Sequence, residues 1–134
     1  MARKKAYTGK YKIESRDLKF AKAYSQKYPQ WLRQYNSLKD AVKAINYDNS
    51  GGPSGKISDT TADNAARRVE LREKMLKVEK CAFEAGGDLA EFILKSVIDE
   101  DVTFEDMKAQ GMPCESRCFY EKRRKYYYLL SQII

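Results

Sequence analysis

Apolar residues fall along this chain at helical spacing almost throughout. From Ser15 the pattern is helical, and Tyr24, Tyr28, Trp31, Tyr35, Leu38, Val42 and Ile45 recur at alternating four- and three-residue steps, a heptad stripe. Pro29 lies inside that stripe. A proline cannot donate to the carbonyl four residues back, so the stripe is predicted to break at Tyr28, with Pro29 in the first turn of a second helix. The rings could stack on bases, but they share the stripe with Leu38, Val42 and Ile45, and core packing is the expectation. A second stripe, Leu71, Met75, Val78, Ala82 and Ala85, is flanked on one side by Val69, Leu76 and Phe83. It predicts a helix opened by the Thr60-Thr61-Ala62-Asp63 capping box and stopped by Gly86-Gly87. Neither helix can bury its apolar face alone. Joined by a flexible linker over 46–58, rich in Gly, Ser, Asn and Pro, they are expected to form an antiparallel hairpin within 15–85.

Residues 86–134 read as a separate helical region. Asp88 is expected to cap a short apolar helix over 89–98. Thr103 and Asp106 have capping-box spacing, Val102 and Met107 occupy the positions of a hydrophobic staple, and a short helix should run from Phe104 until Gly111 ends it. After Gly-Met-Pro-Cys a longer helix is predicted over 115–132, with Phe119, Tyr120, Tyr127, Leu130 and Ile134 on its apolar side. On its other side Arg117, Glu121, Arg124 and Tyr128 step by four, three and four residues, with Lys125 alongside. Cations and a planar ring on one solvent face suit a helix that reads DNA. Two helices joined by a tight Gly-containing turn are the plan of a helix-turn-helix. A plain helical hairpin with a solvated basic face would leave the same pattern. The predicted fold is all-α: a long helical hairpin followed by a C-terminal three-helix unit carrying a helix-turn-helix-like motif.

Charge changes this picture by its placement. The chain of 134 residues carries a formal +7, distributed as +9 over 1–46, zero over 59–85, −5 over 86–110 and +3 over 111–134. Two basic ends around an acidic block suit a protein that touches a polyanion at its ends and something else between them; ordinary solubilising charge is the alternative. Residues 1–14 alternate Lys or Arg with small and aromatic residues without sustained period. They read as a mobile basic arm whose Lys4, Lys5 and Lys10 could lie along phosphates, or as a terminus with no specific role.

The candidate chemistry is thin. With no histidine, the commonest acid/base group and metal ligand is missing, so no enzymatic activity, cofactor or metal is expected. Cys81, Cys114 and Cys118 are too few and odd in number for a disulfide framework, and they leave a four-ligand zinc site one short. Gly51-Gly52-Pro53-Ser54-Gly55-Lys56 is one residue short of a phosphate-binding loop, and Ile57 replaces its Ser or Thr. The basic start lacks the apolar run of a signal peptide and no segment is apolar enough to span a bilayer, so a cytoplasmic protein is expected.

Two stretches, Ser58-Asp59-Thr60-Thr61-Ala62 through Ala65, Arg67-Arg68, Leu71 and Lys74-Met75, and Phe119-Tyr120-Glu121-Lys122-Arg123-Arg124-Lys125-Tyr126-Tyr127, resemble small prophage regulators of Gram-positive bacteria. These are the RinA and ArpU type of late-gene transcription activators, and the resemblance covers about the last 75 residues at the level of pattern. It implies C-terminal helices like the DNA-binding region of sigma factors. The Phe119–Tyr127 helix would then be the recognition helix, with Arg117, Glu121, Arg124 and Lys125 exposed to double-stranded DNA, and RNA polymerase would be a further partner.

The leading expectation is therefore a phage-derived DNA-binding transcriptional regulator reading DNA through 115–132, with Tyr128 beside the cations. A small terminase or packaging subunit, which should form rings, is the second, and a helical adaptor binding a protein partner without nucleic acid is the third. The stripes over 24–45 and 71–85 offer more apolar surface than one hairpin consumes, and two-fold symmetry suits two DNA half-sites. Self-association as a dimer is thus predicted; sedimentation at tens of micromolar, with and without DNA, checks it, and monomer alone would refute it.

Overall fold

A computed structural model describes the backbone of residues 11–48 and 55–134, with side chains over 11–40 and 62–134. The fold is all-α, with no strand among the described residues. In order come α1 (Ser15–Gln26), α2 (Tyr28–Asp48), α3 (Gly55–Gly86), a single 3-10 turn (Gly87–Leu89), α4 (Ala90–Ile98), α5 (Phe104–Ala109) and α6 (Ser116–Ser131). The helical break falls where Pro29 requires it. Lys27 closes α1, its backbone N–H donating to the Tyr24 carbonyl at 3.2 Å, and α2 opens at Tyr28 with Pro29 second, where its missing N–H would have had no partner in any case.

The expected linker is shorter than its composition suggested. Residues 46–48 continue α2 and 55–58 already belong to α3, so the Thr60-Thr61-Ala62-Asp63 box lies inside a helix and not at its start. Continuation of the i to i−4 ladder past Gly55 outweighs the local cap, whose energy is about 1 kcal/mol. Residues 49–54 lie outside the described residues.

The chain divides into two compact units, one of residues 28–76 and one of 1–27 together with 77–134. These boundaries differ from those expected at 14/15 and 85/86. In the first unit Tyr28 and Trp31 from α2, and Leu71 and Met75 from α3, are buried. The Lys74 ammonium lies 5.7 Å from the Trp31 ring, while Tyr35, one turn further along α2, shares a groove with Arg68 and Arg72, earlier on α3. Partners recede along α3 as α2 advances, which is antiparallel packing. Val69 remains more than half exposed, and the side chains of Val42 and Ile45 lie outside those described.

In the second unit α1, α4 and α6 pack against one another pairwise. Helix α1, expected in the hairpin, is here because Leu18, Ala21 and Ser25 form a buried stripe of their own that Tyr24 and Tyr28 obscure in the heptad reading. At the heart of the unit the Ser25 Oγ donates to the Ala21 carbonyl at 2.9 Å and meets the Tyr126 hydroxyl at 2.7 Å. A serine has one proton to give, so Tyr126 must be the donor to Ser25. The last turns of α3 contribute Val78, Cys81, Ala82 and Ala85, all buried as the stripe predicted, whereas Phe83 stays exposed. Gly86 sits so close to α4 that an added Cβ would collide with the Ile93 side chain. Gly87 then takes φ +54, which ends α3. Asp88 makes no cap: α4 starts one residue later than expected, out of the 3-10 turn, with Leu89 at its N-cap.

Burial sets the titration of the tyrosines. It pushes Tyr127 from the usual value near 10 up to about 12, against the lowering effect of Arg123, and raises Tyr126 further. A folded value above the unfolded one means that the unfolded chain ionises first. The associated stability is complete below pH about 10 and is lost as the pH rises towards Tyr127's folded value. An alkaline titration followed by phenolate absorbance and circular dichroism together should show a late class of tyrosines ionising only as helix is lost.

Candidate nucleic-acid interface

Helix α5 and the start of α6 are held by a dense set of local contacts. Thr103 Oγ1 accepts from the Asp106 backbone N–H at 3.1 Å, and Asp106 Oδ2 accepts from the Thr103 N–H at 3.0 Å, completing the predicted capping box. The helix ends as Gly111, at φ +93, turns the chain, while the Met112 N–H donates to the Met107 carbonyl at 3.1 Å. Met107 and Met112 are buried beneath the turn, and Phe104 sets its ring 6.2 Å from Phe119 and 6.1 Å from Tyr120. The two helices and their turn thus form one packed piece.

Helix α6 has two unlike faces, and the division differs from the expected one. Phe119 and Leu130 are fully buried and Tyr127 nearly so, but Tyr120 is 43% exposed, while Tyr126, absent from the predicted apolar side, is fully buried. Successive residues turn about 100° around a helix, which puts Phe119, Arg123, Tyr126 and Leu130 on one line and Tyr120 at its edge. Arg123 therefore occupies the middle of the inward face. Its Nη1 donates to Ser96 Oγ on α4 at 2.7 Å and its guanidinium lies 4.8 Å from the Tyr120 ring, so the charge is met by a hydrogen bond and an aromatic face. A polar residue at the centre of the stripe masked that line in the sequence.

The outward face carries the predicted site residues, in two groups. Arg117 and Glu121, toward the N-terminal end of α6, are exposed, and neither has a hydrogen bond or ion pair among the described residues. Arg124 is half-buried at the edge of a groove between α6 and α1. Lys125 and Tyr128 are half-buried too, since the Tyr11 ring lies 5.5 Å from that of Tyr128 and 6.0 Å from the Lys125 ammonium. The arm expected over 1–14 is thus packed at its end: Tyr11 rests on α6 and Ile13 is buried, because an apolar side chain in this position gains more from the α1–α6 seam than from water. Lys4, Lys5 and Lys10 lie outside the described residues. Two cations that were not among the predicted site residues line the groove with Arg124, namely Arg123 and, on α1, Lys22.

The cysteines show no metal arrangement: Cys81 and Cys114 are buried, Cys118 is exposed, and no group of three or more ligand side chains occurs among the described residues. Among them, too, no helix is long and apolar enough to cross a membrane. No family model, curated protein or solved structure matches this chain.

The Thr103–Asp106 pair yields a pH-dependent expectation. Hydrogen bonding from Thr103, first through its backbone, holds the Asp106 carboxyl below its usual value. A folded value below the unfolded one gives stability that is present at neutral pH and disappears as the pH falls through the folded value. Thr103→Ala should lower the thermal midpoint at neutral pH by removing the cap, with the difference from wild type narrowing in acid. Melting both proteins across the carboxylate range measures it.

Proposed function

We propose that this protein is a DNA-binding regulator of transcription, of the prophage late-gene type that the sequence resembles, reading duplex DNA with the N-terminal half of α6. The observation that carries the reading is the orientation of that helix. Phe119, Tyr126 and Leu130 are buried, Tyr126 against Ser25 of α1 and Phe119 beside Phe104 of α5, leaving Arg117 and Glu121 outward on its first turns. In helix-turn-helix proteins the N-terminal residues of the second helix approach base edges. Arginine there suits guanine O6 and N7, and glutamate accepts from the cytosine amino group. Arg124 continues the same face. Lys125 and Tyr128, engaged with Tyr11, belong to the packed half and are assigned no base. The basic residues Lys4, Lys5 and Lys10 add sequence-independent attraction to phosphates, and contact with RNA polymerase at the promoter is part of the same reading.

The test begins with selection of bound sites from random duplexes. Arg117→Ala and Arg124→Ala should each cost about 1–3 kcal/mol on the selected site and relax its sequence preference, whereas a Lys4/Lys5/Lys10 triple alanine variant should weaken all duplexes alike and flatten the salt dependence. Phe119→Ala should instead destabilise the fold by about 3–5 kcal/mol. If both arginine variants hold the selected site as wild type does, α6 is not the reader and a protein-binding adaptor becomes the better account.

A further inference from the structure

The groove between α1 and α6 has a composition that the reading face alone does not explain. It encloses about 200 Å3 over a floor that includes Ile13 and Leu18. Around that floor stand three cations, Lys22 from α1 and Arg123 and Arg124 from α6, with the rings of Tyr120 and Tyr127, and no carboxylate lines it among the described residues. Like charges gathered around one cleft raise its potential and draw in an anion. Arg123 lines the groove while held by Ser96 and Tyr120, so its side chain is already ordered. Lys22, by contrast, is exposed, and it has no ion pair among the described residues.

We propose that this groove is a phosphate-binding site, in which Lys22, Arg123 and Arg124 hold the anion and the Tyr120 ring lies against the attached sugar or base. A planar guanidinium and a mobile ammonium together suit the tetrahedral oxygens of a phosphoryl group, and an exposed ring suits what is attached to it. Resting on the reading given above, the natural occupant is a backbone phosphate of the bound duplex. The spacing agrees: Arg124 lies seven residues beyond Arg117, about 10 Å along the helix, comparable with the ~12 Å width of the major groove. A helix entering the groove with Arg117 near the bases would thus bring Arg124 and its neighbours to the phosphates along the wall. Such contacts fix register and carry no sequence information themselves.

Lys22→Ala is the decisive variant, because Lys22 is exposed on α1 and alanine is the best helix former, so the fold is kept. Lys80→Ala, which removes an exposed charge from α3, is the control. Binding to the selected duplex, a random duplex and adenosine monophosphate is measured across a salt series. Lys22→Ala should weaken both duplexes alike and make the salt slope shallower by about 1, so that it loses about 3–4-fold less affinity than wild type between about 50 and about 200 mM salt. Lys80→Ala should not change the slope. Should Lys22→Ala match wild type on all three ligands while Arg117→Ala loses the selected site, the phosphate site is refuted and the DNA reading stands. If wild type binds no duplex but binds the mononucleotide, and Lys22→Ala does not, the site stands for free nucleotides and the DNA reading fails. Binding of none of the three ligands by wild type overturns both.

Discussion

The hydroxyl of Tyr126 is the constraint around which the second unit is built. A phenol can be buried completely only if its O–H finds a partner, since an unsatisfied one costs about 1–3 kcal/mol. Ser25 provides that partner, and its own proton goes to the Ala21 carbonyl, so the chain of donors ends on a backbone acceptor and nothing is left open. The consequence is positional. With Ser25 set against Tyr126, α1 must lie along α6 in one register, which brings Leu18 and Lys22 to the same groove as Tyr127, Arg123 and Arg124.

The same register explains how a helix so rich in cations can belong to a core. Arg123 points inward, where an unpaired guanidinium would be unfavourable, yet Ser96 takes one of its donors and Tyr120 covers its face. Lysine in that position would supply a point charge with neither the planar stack nor the forked geometry. The inward arginine thus lets α6 keep a cationic sequence on both flanks of its seam. One surface serves packing and the edge of the groove at once.

Much of this was legible in the chain because local rules decided it. The proline break at Tyr28, the stripe from Leu71 to Ala85, the Gly87 stop and the Thr103–Asp106 box each follow from side chains within a turn or two of one another. What was not legible depends on distant partners. Tyr126 sits in a run of three tyrosines, and nothing nearby says which ring goes inside; Ser25, on another helix, decides it. The heptad stripe assigned α1 to the hairpin, since Tyr24 and Tyr28 fit its period, although the shorter Leu18-Ala21-Ser25 line is the face that packs. For the interface, the exposed placement of Arg117 and Glu121 could be read from spacing. The covering of Lys125 and Tyr128 by Tyr11 could not, because a basic segment with no period gives no sign of docking.

The joining of α1 to α6 also has a bearing on how the protein comes into being. Ser25 and Tyr126 are separated by 101 residues, so their contact closes a very long loop. Loop entropy grows only slowly with length, about 0.6 kcal/mol per doubling, and the thermodynamic cost is modest. Time is another matter. On a ribosome adding ~5–20 residues per second, α1 emerges roughly 5–20 s before its partner exists. Throughout that interval Leu18 and Ala21 have no α6 to cover them, and the groove between the helices cannot be assembled. An unfinished chain therefore has Lys22 but neither Arg123 nor Arg124, and the groove forms only when α6 has been made.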